Sequence, residues 1–273
     1  MDISPDTKLV GLIGHPVEHS FSPKLHNSIY SMLGLNMVYL AFDVIEQELS
    51  YAVRGLRALG FIGFNVTIPY KEKILPLLDQ IDSNAEAIGA VNTVKIEGDK
   101  LIGYNTDGAG FLDSLTRRGI HCNNKNIVIL GAGGAARAIG IYLAGENPSQ
   151  MFINNRTSSR AEHLAKDINR FAGRQMCQTI SSIPRDVDII INTTPIGMWP
   201  NTHGNPLQGY SLKSDTIVCD IVYNPPMTEM LKYAQDEGCT IIGGKDMLIG
   251  QGIRAIEIWN GKTLKEPERW NII

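Results

Sequence analysis

Cysteine is scarce in this 273-residue chain: Cys122, Cys177, Cys219 and Cys239 stand far apart, with none of the C-x-x-C spacing of zinc or redox sites. Reduced, cytoplasmic thiols are the plain expectation. Charge of one sign is also lacking, since the net charge is -3 and lysine-rich runs are absent. No global field then favours nucleic acid or an anionic membrane, and any anion must be held by a local cluster. No apolar run suits a bilayer: the most apolar stretch, Ile127 to Ala144, is interrupted by glycines and Arg137. The opening residues Met1-Asp2-Ile3-Ser4-Pro5-Asp6 are acidic where a secretory signal carries basic ones. Metal ligands are missing too. His15 and His19 are four apart, but Pro16 spoils a regular helix between them and no third ligand has suitable spacing. These absences predict a cytoplasmic protein with no metal, membrane or nucleic-acid partner; monomer and homodimer both stay open.

What is present is the composition of a globular protein, 43% hydrophobic and 19% charged. The length suits two ordinary domains. From Lys8 to Asp107 short apolar strands alternate with amphipathic helices: strands at Leu9–Ile13, Val38–Phe42, Gly63–Val66, Val91–Ile96 and Leu101–Tyr104, helices at Pro23–Leu33 and Glu46–Leu59. The later part has a β-α-β rhythm, with strands at Asn126–Leu130, Met151–Asn154, Val187–Ile191, Thr216–Asp220 and Thr240–Ile242. Helices are expected to Ala144 and at Ser159–Phe171, Thr228–Gly238 and Met247–Trp259, with Asp107–Arg118 as a crossing between the two parts.

The junction Ile127-Val128-Ile129-Leu130-Gly131-Ala132-Gly133-Gly134-Ala135-Ala136 runs from a buried-strand pattern through a glycine turn into a helix. Gly131 permits the tight turn, Gly133 lets the backbone approach a pyrophosphate, and Ala136 takes the small-residue place where helix meets strand. Ala132, Gly134 and Ala135 complete a turn whose helix N-terminus faces the phosphates. A bare glycine turn is a weak signal; the readable strand and helix around it strengthen the dinucleotide reading. The next strand ends not in Asp or Glu but in Asn154-Asn155-Arg156-Thr157-Ser158-Ser159-Arg160. Guanidiniums with hydroxyl and amide groups suit a 2′-phosphate, so NADP is expected as cofactor. Solvated arginines at a helix start are the bland alternative, and a mildly unfavourable one.

Ahead of the turn, the stretch Gly14 to Asn27 places Ser20 and Ser22 just before a helix, where serines either cap or bind a carboxylate. Asn65-Val66-Thr67-Ile68-Pro69-Tyr70-Lys71-Glu72, Gly89-Ala90-Val91-Asn92-Thr93 and Tyr104-Asn105-Thr106-Asp107-Gly108 each put polar groups beside an apolar strand. Ligands of open α/β sheets gather at such ends. By spacing alone, Lys71 reads as an exposed lysine and Asp107 as a helix cap.

In combination these motifs resemble the shikimate dehydrogenase family from about Val10 to the last helix: H-S-x-S-P, N-V-T-x-P-x-K-E, G-A-V-N-T, G-x-N-T-D-G, G-A-G-G-A-A-R-A and N-R-T-x-x-R occur in that order. The resemblance implies an α/β chain of two domains with a cleft between them. An N-terminal substrate domain, residues 1–107 completed by 245–273, would accompany a Rossmann-type doubly wound parallel sheet, residues 108–244. It implies NADP-dependent, reversible reduction of 3-dehydroshikimate to shikimate, in the route to chorismate and the aromatic amino acids. By position, Ser20 and Ser22 would hold the substrate carboxylate; Asn65, Thr67, Asn92 and Gln251 the ring hydroxyls. Lys71 and Asp107 would be the catalytic pair, and Tyr223 would line the cleft. Gly131 to Ala135, Asn155, Arg156, Thr157, Arg160, Thr193, Met198 and Gly244 would serve the cofactor. The chain departs from the family at Lys245 and Asp246, charges expected near the cleft mouth. A quinate/shikimate enzyme able to use NAD, a non-catalytic NADP-binding sensor and a two-domain scaffold are the alternative readings.

Overall fold

The computed structural model describes residues 3–264, which divide into two compact units. One runs through Thr106 and resumes at Gln251; the other is Asp107–Gly250.

In the first unit, β1 (Lys8–Gly14) lies between β2 (Met37–Asp43) and β3 (Gly63–Val66), both parallel to it. Short parallel strands with mostly apolar residues on both faces read as the continuous runs the sequence shows. The sheet then becomes mixed. β4 (Gln80–Ile81) pairs with β6 (Lys100–Tyr104), while β5 (Thr93–Glu97) is antiparallel to both β3 and β6, giving the order β2-β1-β3-β5-β6-β4. Helices α1 (Ser22–Met32), α2 (Leu49–Ala58) and α3 (Ser83–Ile88) connect these strands. Ile13, Phe64, Val66, Tyr70, Val91 and Val94 form the centre of one core cluster. Because β5 runs against β3 and β6, its start faces the same sheet edge as their ends. The segments after β1, β3 and β6 and the segment before β5 therefore share one edge.

The second unit opens with α4 (Asp107–Thr116) and has an all-parallel sheet: β7 (Asn126–Leu130), β8 (Gln150–Asn154), β9 (Cys177–Thr179), β10 (Ile189–Asn192), β11 (Ile217–Asp220) and β12 (Thr240–Ile242). Its order, β12-β11-β10-β7-β8-β9, is the doubly wound one, reversing between β7 and β10. Helices α5 (Gly134–Gly145), α6 (Ser158–Ala172) and α7 (Glu229–Asp236) make the connections. Gly108 is required by close approach: a Cβ there would collide with Tyr142 and lie 2.5 Å from the Ala138 carbonyl of α5.

The last described helix, α8 (Gly244–Asn260), contains the division at Gly250 and Gln251. Its first turns belong with α4, where a Cβ on Gly250 would lie 2.6 Å from the Gly110 carbonyl. Its later turns belong with the first sheet, where Trp259 Nε1 donates to the Val94 carbonyl at 3.0 Å. Among the described residues no helix is long and apolar enough to cross a membrane, and no cluster of His, Cys, Asp and Glu could hold a metal ion.

Candidate active site

The shared edge of the first sheet collects side chains that are polar without being charged. Ser20 and Ser22 follow β1, Asn65 and Thr67 stand at the end of β3, Asn92 precedes β5, and Asn105 and Thr106 follow β6. The serines are not helix caps: the N-cap position of α1 is Phe21, which makes no side-chain cap bond. Ser20 Oγ accepts from the Ser22 N–H at 3.3 Å, a bond that leaves its own hydroxyl hydrogen for another acceptor.

Asn65, Asn92, Thr93 and Thr106 are buried and bonded together. Asn65 Nδ2 donates to the Asn92 carbonyl at 3.0 Å and to Thr93 Oγ1 at 2.9 Å, which commits both of its hydrogens. Towards a ring hydroxyl Asn65 can act as acceptor through Oδ1. Asn92 Oδ1 accepts from Thr93 Oγ1 at 2.9 Å and from the Thr106 N–H at 2.8 Å, so the chain before β5 is tied to the chain after β6. Buried polar groups satisfied in this way are rigid, as a site that must orient several hydroxyls requires.

Lys71 lies in the turn after β3, half-buried, and its carbonyl accepts from the Val91 N–H at 2.8 Å. Asp107 is the first residue of α4, so the two expected catalytic residues belong to different units. Gln251 falls in the unit of the polar edge; Tyr223, 45% exposed after β11, falls in the other.

In the second unit the turn after β7 is built as the glycine pattern predicts. Gly131 has φ +112°, and a Cβ there would lie 2.6 Å from Thr193 Oγ1. Helix α5 starts at Gly134 with Gly133 as its N-cap, and a Cβ on either would meet no protein atom within 4 Å. Bare amides at a helix N-terminus suit a pyrophosphate. Beyond β8 a pocket of about 480 Å³ is lined by Asn154, Asn155, Arg156, Ser158, Thr179 and Ser181 among others. Its cation and hydroxyls fit a phosphorylated ribose; Glu162 is the carboxylate on its wall. Thr157 and Arg160 are exposed and do not line it.

Three buried residues, Asn192 at the end of β10, Asp220 at the end of β11 and Thr228 at the N-cap of α7, hold the segment from Thr193 to Met198. Asn192 Oδ1 accepts from the Thr194 N–H at 3.0 Å, and Asn192 Nδ2 donates to Asp220 Oδ1 at 3.0 Å. Asp220 also accepts from the Val222 N–H at 3.0 Å and from Thr228 Oγ1 at 2.7 Å. Burial raises the Asp220 pKa, against hydrogen bonds that lower it. Thr193 itself donates to the Leu130 carbonyl at 2.7 Å, tying this segment to the glycine turn, while Met198 is 45% exposed. Gly244 is a close-approach residue, since a Cβ there would run into the Ile221 carbonyl.

Residues 12–94 match the model of the shikimate dehydrogenase substrate binding domain, and residues 114–197 match that of shikimate/quinate 5-dehydrogenase. A relative from Methanocaldococcus jannaschii, a shikimate dehydrogenase (NADP(+)), is 49% identical over 95% of this chain and 93% of its own. The chain belongs to the shikimate dehydrogenase family. A crystal structure of a shikimate dehydrogenase in complex with NADP+ superposes with a TM-score of 0.92 at 46% identity, covering 99% of this chain and 96% of that one. A ligand-free 5-ketofructose reductase of Gluconobacter sp. strain CHM43 superposes at 0.90 with 39% identity, covering 98% of each.

Lys245 and Asp246, the charges expected near the cleft mouth, differ in their surroundings. Asp246 is paired with Arg118 at 2.8 Å and Arg117 at 3.6 Å, which joins the start of α8 to the end of α4; Lys245 is exposed. The supporting residues Thr93, Thr106, Asn192, Asp220 and Thr228 were not singled out from sequence. Asn192 and Asp220 each end an apolar strand run, Ile-Ile-Ile-Asn and Ile-Val-Cys-Asp, and that is the signal by which they could be found.

Proposed function

We propose that this chain is an NADP-dependent shikimate dehydrogenase, interconverting shikimate and 3-dehydroshikimate. The observation that carries the reading is the likeness to a shikimate dehydrogenase (NADP(+)) along 95% of the chain. The polar edge of the first unit supports it, because hydroxyl and amide groups there match a substrate with several ring hydroxyls. Ser20 and Ser22 serve its carboxylate, Asn65, Thr67, Asn92 and Gln251 its hydroxyls. Two hydroxyls and a backbone turn can bind an anion without adding a buried cation, whose desolvation would weaken the gain.

When bound, NADPH supplies the hydride. Gly131 to Ala135 receive its pyrophosphate, Asn155 and Arg156 its 2′-phosphate, and Thr193 and Met198 the nicotinamide end; Gly244 backs the same strand ends. As the carbonyl carbon is reduced, negative charge grows on its oxygen, and Lys71 stabilises that charge and delivers the proton. Asp107, the first residue of α4, is the second member of the expected catalytic pair and takes part in moving the proton.

The 5-ketofructose reductase gives a second substrate to test, since 5-ketofructose carries hydroxyls and carbonyls but no carboxylate. Purified protein is assayed for appearance or loss of reduced nicotinamide with shikimate, quinate, 3-dehydroshikimate and 5-ketofructose, each with NADP(H) and NAD(H). The proposal expects shikimate with NADP to have the highest kcat/KM. A higher value for quinate with NAD would favour the quinate branch, and one for 5-ketofructose would deny the carboxylate role of Ser20 and Ser22. Binding of NADP without turnover of any of them would mark a sensor.

A further inference from the structure

Asp220, the last residue of β11, is 2% exposed, and among the described residues its hydrogen-bond partners carry no charge. A carboxylate so placed is costly unless donors fill its oxygens. Oδ1 accepts from Asn192 Nδ2 and from the Val222 N–H, each at 3.0 Å, and Oδ2 accepts from Thr228 Oγ1 at 2.7 Å. Thr228 Oγ1 in turn accepts from the Leu231 N–H at 3.3 Å, so its own hydrogen is left for Asp220.

The three donors come from the end of β10, the segment after β11 and the N-cap of α7. Asn192 and Val222 share one carboxylate oxygen, which joins the segments leaving β10 and β11. A second tie lies further along both, where the Trp199 N–H donates to the Asn224 carbonyl at 2.9 Å. Between these ties Gly197, at φ +87°, is packed close: a Cβ there would lie 3.4 Å from Thr228 Cβ and 3.3 Å from the Gly204 carbonyl. Asn192 Oδ1 accepts from the Thr194 N–H at 3.0 Å and from Thr194 Oγ1 at 2.6 Å, which carries the hold into the segment itself. Thr193 and Met198, the residues read as meeting the nicotinamide, thus lie on a segment tied at its start through Asn192 and at its end through Asn224. Asp220 is sealed from solvent and acts through the groups it holds.

We infer that Asp220 is a positioning residue for the nicotinamide end of the cofactor, holding the segments after β10 and β11 as one piece. The inference rests on the function proposed above and deepens it. The adenosine end is served by the turn after β7 and the pocket beyond β8, whereas the reacting end depends on one buried carboxylate.

Asp220→Ala removes the acceptor from all three donors. Binding is measured by calorimetry with NADP+ and with adenosine 2′,5′-bisphosphate, which keeps the adenosine and 2′-phosphate and lacks the nicotinamide. The expected result is a rise of about tenfold in Kd for NADP+, with Kd for the bisphosphate within about twofold of wild type. The kcat for shikimate oxidation should fall by about 10- to 100-fold, as a small misplacement of the reacting ring implies. Asp220→Asn should recover most of both losses, because its amide oxygen can still accept from Asn192 and Val222. Equal shifts for the two ligands, an unchanged Kd for NADP+, or Asp220→Asn as impaired as Asp220→Ala overturns the inference. A merely structural role would lower the melting temperature and active fraction while leaving both Kd values where they were, and that outcome overturns it as well. Should Asp220→Ala fail to fold, Asn192→Ala cuts the same tie from the other strand; it should split the two affinities alike, and equal shifts there overturn the inference. Wild-type protein that binds neither ligand defeats the function and the inference together. Wild type that binds NADP+ and turns over shikimate, with variants showing no split, defeats the inference alone.

Discussion

Mild acid should destabilise the first unit through His26. This imidazole is fully buried against Tyr39, Tyr30 and Trp259, its Nε2 has no hydrogen-bond partner, and burial pushes its pKa down from 6.5 to about 3. The folded form therefore keeps His26 neutral where the unfolded chain takes up a proton. The folded pKa is the lower one, so the unfolded state binds more protons between the two values. Stability is full above about pH 6.5 and falls as the pH drops towards about 3. Integrating that difference from about pH 7.5 to about pH 5 gives a loss of about 2 kcal/mol from this one residue. The assay is urea unfolding at a series of pH values, followed by tryptophan fluorescence, to which buried Trp259 contributes. It is run on wild type and on His26→Phe, which keeps an aromatic ring and cannot titrate. Other groups contribute alike to both proteins, so the wild-type curve should lose about 2 kcal/mol more than the variant's over this range. Parallel curves would refute the reasoning, showing that His26 is not held neutral by the fold.

Three further outcomes can be checked with single substitutions. Gly108→Ala should cost about 1–3 kcal/mol in denaturant unfolding, because the added methyl meets Tyr142 and the Ala138 carbonyl; full stability would show that α4 and α5 can separate there. Gly252→Ala should raise stability by up to about 1 kcal/mol, since its Cβ would make ordinary contacts at 3.4 Å to Leu25 and 3.5 Å to His26 in a helix that gains propensity; a lower melting temperature would contradict this. Arg156→Ala should raise KM for NADP by about 10- to 100-fold and leave KM for NAD nearly unchanged, as loss of one charge-assisted phosphate contact implies; equal effects on both cofactors would deny Arg156 its 2′-phosphate role.

The sheets were legible in the sequence where their residues are apolar on both faces. Gly63–Val66, Asn126–Leu130 and Thr240–Ile242 were read to the residue because apolar runs end there at polar or glycine positions. The two-residue strand Gln80–Ile81 was not found, being too short and too polar to show a period; nor was α3, six residues started by an Asp82 cap. The break of Glu46–Leu59 into a 3-10 turn and α2 likewise leaves no mark in an unbroken amphipathic pattern. At the candidate site, the residues proposed to meet a ligand lie in motifs, whereas buried Tyr39, bonded to Asn65, shows only the inward alternation of any buried strand residue. Its partner Asn65 is 26 positions away, and such distances are set by folding rather than by local spacing. Asp246 illustrates the converse: a charge expected near the cleft mouth is taken up by Arg118.

In the proposed mechanism Lys71 stabilises and protonates the developing alkoxide of the shikimate ring. This role is tested most directly by the rate of 3-dehydroshikimate reduction by Lys71→Ala with NADPH and substrate both saturating. The expected kcat is lower by about 10²–10⁴, with KM changed little, because the group acts mainly in the transition state. A variant that reduces 3-dehydroshikimate at the wild-type rate would contradict it.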